Sequence, residues 1–328
     1  MQLTKLSKLS LIRQILVAIL GLLVVFTGGC AEKTQPKSEA IAGAREFVDS
    51  TGYVLKLPQK PQKIVSLSIG TDEILVGLVA TPRIAALTYL ADESDISNIS
   101  EQAKAVSRRI RANAESVIAV QPDLVIIPDW LPAEFIQTLR EAGAPVYVYK
   151  TPSTIDEVKQ AIMSIARIVG EEQTGIRLVA DMDKQLGEIT EKVQQIPTDK
   201  RQVVIQYNLM GGSGGKGSSF DDLCRYAGVV NGAAVAGLGL NEVLSKEQIV
   251  RVNPDVILLP IWDYTGKTDI QKFGAEVQAD QALQTVKAIR QHNLIPVPDR
   301  HMTCTSQYIV HGVKDIAKAA YPQVFKDE

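Results

Sequence analysis

One stretch of this chain occurs twice. Residues 115–130 read ESVIAVQPDLVIIPDW and residues 247–262 read EQIVRVNPDVILLPIW, 132 positions later. Glu115/Glu247, Val120/Val252, Pro122/Pro254, Asp123/Asp255, Pro128/Pro260 and Trp130/Trp262 are identical, and most remaining pairs exchange one aliphatic side chain for another. Each copy parses as a short helix, a Pro-Asp turn and an unbroken aliphatic run, LVIIP or VILLP. Such runs are buried on both faces of a parallel sheet. Asn113 and Ser245 stand two residues before each Glu, where an N-cap belongs.

Other aliphatic runs complete the pattern: KIVSLS and PVYVYK in the first half, QVVIQYNL and LIPVPD in the second. Alternating with helices, they predict an α/β protein of two lobes. Between them Val179, Met182, Leu186, Ile189, Val193 and Ile196 recur at spacings of three and four, which predicts one long helix over 171–196, ended by Pro197. The expected boundaries are a first lobe over 46–167, a linker helix within 168–197 and a second lobe over 198–328. Ligands of open parallel sheets bind beyond the carboxyl ends of the strands. The repeat carries Trp130 and Trp262, the chain's 2 tryptophans, to that edge in each lobe, so both are expected to face one cleft.

With 35 Lys+Arg against 37 Asp+Glu, the net charge of -2 offers no basic footprint for nucleic acid. The N-terminus sets Lys5, Lys8 and Arg13 before an apolar run from Ile15 to Phe26, then Thr27-Gly28-Gly29-Cys30. That is the layout of an export signal over residues 1–29; the run is too short to span a bilayer, which takes about 20 residues. Small residues before a cysteine resemble a bacterial lipobox, although Thr27 stands where Leu is usual. The resemblance implies that Cys30 is lipidated and that residues 30–45 begin as an anchored, flexible tether. In an oxidising compartment Cys224 and Cys304 either pair or remain two buried thiols, and the sequence leaves both open.

REFVDSTGYVLKLPQKPQKIVSLSIGTDEILVGL, NAESVIAVQPDLVIIP, SSFDDLCRYAGVVN and LSKEQIVRVNPDVILLP together resemble class III solute-binding proteins, the ferric-siderophore and cobalamin family of ABC importers. The resemblance runs from about residue 46 to the C-terminus. It implies two Rossmann-like lobes joined by a single helix, a ligand cleft between them and little domain closure. It also implies docking of Glu115 and Glu247 onto arginines of a membrane permease. A carboxylate on each lobe gives a two-point electrostatic register with a basic partner, whereas stabilisation of the helix dipole explains each Glu separately but not their common register.

Ferric-hydroxamate binders resemble this chain in placing an arginine six residues before that glutamate. Arg109 matches the spacing and Arg108 stands beside it; a guanidinium there can fork hydrogen bonds to the anionic oxygens around Fe(III). Ser68 at the end of its strand, Tyr89, Tyr264 beside Trp262, Lys216 within GGSGGKGSS and His301 after VPDR are further cleft candidates. That glycine-rich loop is no phosphate loop, because Gly217 rather than Ser or Thr follows Lys216.

A zinc or manganese binder needs His and carboxylates converging from both lobes, and His292, His301 and His311 all fall in the second. An enzyme needs a nucleophile with its base or paired carboxylates, and no such motif stands out. The expectation is therefore a monomeric, lipid-anchored, extracytoplasmic binding protein. It takes up a ferric siderophore for an ABC permease and its ATPase, with no cofactor and with iron only as part of the chelate. Cobalamin and haem are the rival ligands, and a ligand-sensing lipoprotein without a permease is the rival role.

Overall fold

The computed structural model describes residues 44–263 and 266–326. The export signal, Cys30 and nearly all of the tether, as well as Tyr264, lie outside them. A hairpin of β1 (Arg45–Val48) and β2 (Val54–Leu57) leads into β3 (Ile64–Ser66), α1 (Ile69–Leu78), β4 (Ile84–Thr88), β5 (Arg109–Ile110), α2 (Ala114–Ile118), β6 (Leu124–Pro128), α3 (Ala133–Glu141), β7 (Val146–Tyr149) and α4 (Ile155–Val169). After α5 (Glu172–Val193) come β8 (Val203–Asn208), β9 (Gly211–Ser213), α6 (Ser219–Tyr226), β10 (Val230–Asn231), α7 (Lys246–Val252), β11 (Val256–Pro260), α8 (Ile270–Ala279), β12 (Leu294–Val297) and α9 (Ile309–Ala320).

The first sheet is parallel in the order β5-β4-β3-β6-β7. The chain thus moves outward from β3 on one side, then returns to β3's other side, leaving a switch point between β3 and β6. The second sheet, β10-β8-β11-β12, repeats the scheme around β8 and β11, with β9 added antiparallel to β8.

The repeat holds down to single atoms. Gln121 and Asn253, equivalent residues before each proline, are both left-handed, at φ 50° and 51°. Asp123 accepts from the backbone N–H groups of Gln62 and Lys63, each at 2.7 Å, at the start of β3. Asp255 accepts from Val203 N–H at 2.7 Å at the start of β8. Each conserved-in-register aspartate therefore splices its own strand to the neighbouring one. Period-two burial follows: Leu124, Ile126, Val256 and Leu258 face inward, while Val125 and Ile127 pack under the outer helices of one lobe and Ile257 and Leu259 under those of the other.

The inward faces meet in one continuous core that includes Ile162 and Ile165 of α4, Met182, Leu186 and Ile189 of α5, and Val313 and Ile316 of α9. The linker helix is shorter than the 171–196 expected. It ends at Val193, three residues before the Ile196 that its spacing reaches, because the last turn uncoils ahead of Pro197. Among the described residues no helix is long and apolar enough to cross a membrane.

Candidate functional site

A cavity of about 340 Å³ opens at the carboxyl edge of the first sheet. Its walls come from the turns that leave the strands: Ser68 and Gly70 after β3, Thr88 and Tyr89 at the end of β4, Arg111 after β5, Trp130 after β6. Thr303 and Thr305 close it from the second lobe. This is the switch-point crevice that parallel topology favours for ligands.

Ser68 caps α1, accepting from Thr71 N–H at 3.1 Å, and its Oγ lies 2.9 Å from the Tyr149 hydroxyl. The floor is thus a closed hydrogen-bond set, and burial pushes the Tyr149 phenol above its ordinary range. Above it the Arg111 guanidinium lies 3.6 Å from the centroid of the Tyr89 ring. Arg111 is the one ionic side chain among the described lining residues, and it keeps its hydrogen-bonding fork unspent while the ring supports its flat face. Trp130 is 63% exposed, an unusual degree for the largest apolar side chain and one that fits a ligand platform.

Arg109, the arginine picked out by spacing, does not line the cavity. Its guanidinium is held by Asp92 (2.5 and 2.7 Å) and by the carbonyls of Ala103, Val106 and Arg108 (2.8, 2.7 and 3.2 Å), so it stitches the loop beside β5 to the sheet edge. Arg108 is exposed and also absent from the lining; its carbonyl accepts from Leu87 N–H. The cleft arginine is the third of the cluster, and the signal missed was the buried Ile110, which sets the side that Arg111 takes at the end of a two-residue strand.

The second-lobe expectations are redistributed too. Trp262 is half-buried and outside the lining, with its backbone N–H fixed 2.9 Å from the Asp299 carboxylate. His301 turns to the last helix, its Nδ1 2.6 Å from Asp315, and its ring meets His311 edge-on at 5.0 Å. Lys216 is exposed on the glycine-rich loop, whose first residues form β9 rather than a cavity wall. Thr303 and Thr305, in an irregular segment with no periodic signature, supply the second lobe's share. Cys224 and Cys304 are both free thiols and buried. No group of three or more His, Cys, Asp or Glu among the described residues is arranged to hold a metal ion.

Glu115 and Glu247 are exposed in the first turns of α2 and α7, capped by Asn113 and Ser245 as the repeat required. Hydrogen bonds from its own N–H and from Ser245 hold the Glu247 carboxyl below its ordinary value. Because a crossover helix runs opposite to the strands it connects, both glutamates stand at the carboxyl edges of their sheets, the edge where the cavity opens.

The sequence pattern of the periplasmic binding protein family matches residues 64–301, which takes in both sheets and the cavity. The chain belongs to that family. It is 25% identical over 325 residues to YvrC of Bacillus subtilis, named an uncharacterized ABC transporter substrate-binding lipoprotein, covering 94% of this chain and 98% of that protein. A cobalamin-binding protein of Halobacterium salinarum is 24% identical, over 83% of this chain and 72% of its own length. The solved structure of the molybdate-binding protein MolA of Haemophilus influenzae matches at a TM-score of 0.71 with 21% identity, over 86% of this chain and 93% of that one. The fold expected from the sequence, two α/β lobes of periplasmic-binding-protein type, is the fold observed.

Proposed function

We propose that this chain is the extracytoplasmic, lipid-anchored binding subunit of an ABC importer, that its ligand is a ferric siderophore, and that it hands the chelate to a permease and its ATPase without making or breaking a bond. The observation that carries the reading is Arg111 laid on Tyr89 beside the exposed Trp130, at the switch-point cavity of a binding-protein fold. A single cation on an aromatic support, with hydroxyls around it, suits a bulky chelate that presents anionic oxygens and brings its own metal donors. Glu115 and Glu247, on the cavity edge of each lobe, are the proposed permease contacts, and Cys30 the proposed anchor.

Cobalamin is the second reading, favoured by the Halobacterium salinarum relative and by the aromatic platform. The deciding experiment is tryptophan fluorescence of the chain from residue 46 onward, titrated with ferric desferrioxamine B, a ferric catecholate, ferric citrate, cyanocobalamin and haemin, with inner-filter controls. Saturable quenching by a ferric chelate that is lost in Arg111→Ala supports the proposal. Saturation by cyanocobalamin or haemin instead overturns the ligand, and silence from all five leaves a sensing role as the better account.

A further inference from the structure

Two consecutive carboxylates near the start of α1 lie behind the cavity, and neither is among its lining residues. Asp72 and Glu73 are 0% and 2% exposed, the kind of burial that charged side chains tolerate only when fully partnered. Asp72 accepts from the Thr88 hydroxyl at 2.5 Å and from the Thr88 N–H at 3.1 Å. Thr88 and the next residue, Tyr89, are cavity wall, and Tyr89 supports Arg111.

Glu73 reaches the other way. Its Oε1 accepts from Asn98 N–H at 2.8 Å and from Asn98 Nδ2 at 2.9 Å, and its Oε2 accepts from Ser306 Oγ at 2.5 Å and from Cys304 Sγ at 3.3 Å. Gln307 Nε2 donates to the Glu73 carbonyl at 2.8 Å. The segment 303–306 alternates: Cys304 and Ser306 point back into the core and hold Glu73, while Thr303 and Thr305 line the cavity. Thr305 also packs so closely over Gly70 that a Cβ there would collide with its Oγ1.

We infer that Asp72 and Glu73 are positioning residues for the ligand site, one bracing the Thr88–Tyr89 wall of the first lobe and the other bracing the Thr303–Thr305 wall of the second. The spacing of the two walls is thereby set by neighbouring residues of a single helical turn. The inference rests on the proposal that this cavity holds the ligand, but its structural core does not depend on which ligand that is.

A general stabilising role predicts that losing either carboxylate loosens everything alike. Bracing predicts a split. In the unliganded protein, hydrogen–deuterium exchange of Asp72→Ala should accelerate about tenfold or more over residues 88–91 and stay unchanged over 303–307; Glu73→Ala should do the reverse, and Asp72→Asn, which keeps its bonds to Thr88, should leave both segments at the wild-type rate. Both alanine substitutions remove only the bracing group, and urea midpoints measured alongside show that each variant is folded. Affinity for ferric desferrioxamine B, or for whichever of the five probes saturates the wild type, should fall about tenfold in both. Uniform acceleration of both segments in both variants overturns the inference, as does the expected split with unchanged affinity. If no probe saturates the wild type, the proposed ligand class falls, and the exchange split alone still upholds or refutes the brace.

Discussion

Substituting Asp72 with Asn should abolish a loss of stability that the wild-type chain suffers as pH rises from about 4 to 7. Burial raises the Asp72 carboxyl from 3.8 to about 7; the hydroxyl and amide of Thr88 and the hydroxyl of Ser66 oppose the rise, and the neighbouring Glu73 adds to it. With the folded value above the unfolded one, the native state keeps its proton where the unfolded chain has already released it. The contribution is therefore fully present below 3.8, declines as pH climbs to about 7, and is constant beyond. At 1.36 kcal/mol per tenfold change in proton affinity, the whole decline is worth about 4 kcal/mol.

Asn mimics the protonated acid, because its oxygen can accept from the Thr88 N–H and its amide can donate to the Thr88 hydroxyl. Urea unfolding followed by circular dichroism at half-unit steps from pH 4 to pH 8 gives the variant-minus-wild-type difference, in which Glu73 and every other carboxylate cancel to first order. That difference should climb by about 4 kcal/mol in favour of the variant, mostly between pH 5 and 7. A difference that stays level within about 1 kcal/mol, against the expected 4, would show that Asp72 remains ionised in the native state and would refute the reasoning.

Arg111→Ala should weaken binding of the ferric probe at least tenfold with little effect on the urea midpoint, whereas Arg109→Ala, which severs the Asp92 pair and three carbonyl contacts, should cost about 1–2 kcal/mol of stability with the smaller effect on affinity; calorimetry and urea titration separate the two. Charge reversal in Glu115→Lys and Glu247→Lys should abolish uptake of radiolabelled chelate by cells while leaving affinity intact, since both side chains are exposed. Gly70→Ala should lower the unfolding free energy from urea titration by about 1–3 kcal/mol and weaken binding too, because the new methyl group must push Thr305 off the cavity wall.

How far the chain could be read in advance divides along physical lines. The repeat foretold the helices, turns and strands of 114–128 and 246–260 because buried parallel strands require aliphatic runs and a Pro-Asp turn has few alternatives. It also placed Trp130 at the cavity. It failed for Trp262, since equivalence in sequence says nothing about the Asp299 carboxylate that fixes the backbone there from 37 residues away. Spacing from Glu115 selected Arg109 because a motif counts residues and cannot see Asp92, whose carboxylate claims that guanidinium. Thr303 and Thr305 carried no period, no charge and no motif; only the Glu73 network, formed between residues more than 200 positions apart, turns them to the site.

The same network bears on how such a protein can work. Movement of one lobe against the other would have to break the bonds of Glu73 to Ser306 and Cys304, those of Arg300 to the carbonyls of Ser94 and Asp95, and that of Ile155 N–H to Asp222. It would also have to open the core that α5 and α9 share between the two sheets. Several of these groups are buried, and each bond exchanged for water would cost about 0.5–1.5 kcal/mol, before any apolar surface is counted. A frame held this firmly would keep the separation of Glu115 and Glu247 nearly constant whether or not the cavity is filled. A partner that docks on those two carboxylates would therefore meet the same register in both states, and would distinguish them through the cavity walls at Tyr89, Arg111 and Thr305, which lie at the same edge. Selectivity for the loaded form would then arise from contact with the ligand or with those walls rather than from closure of the lobes.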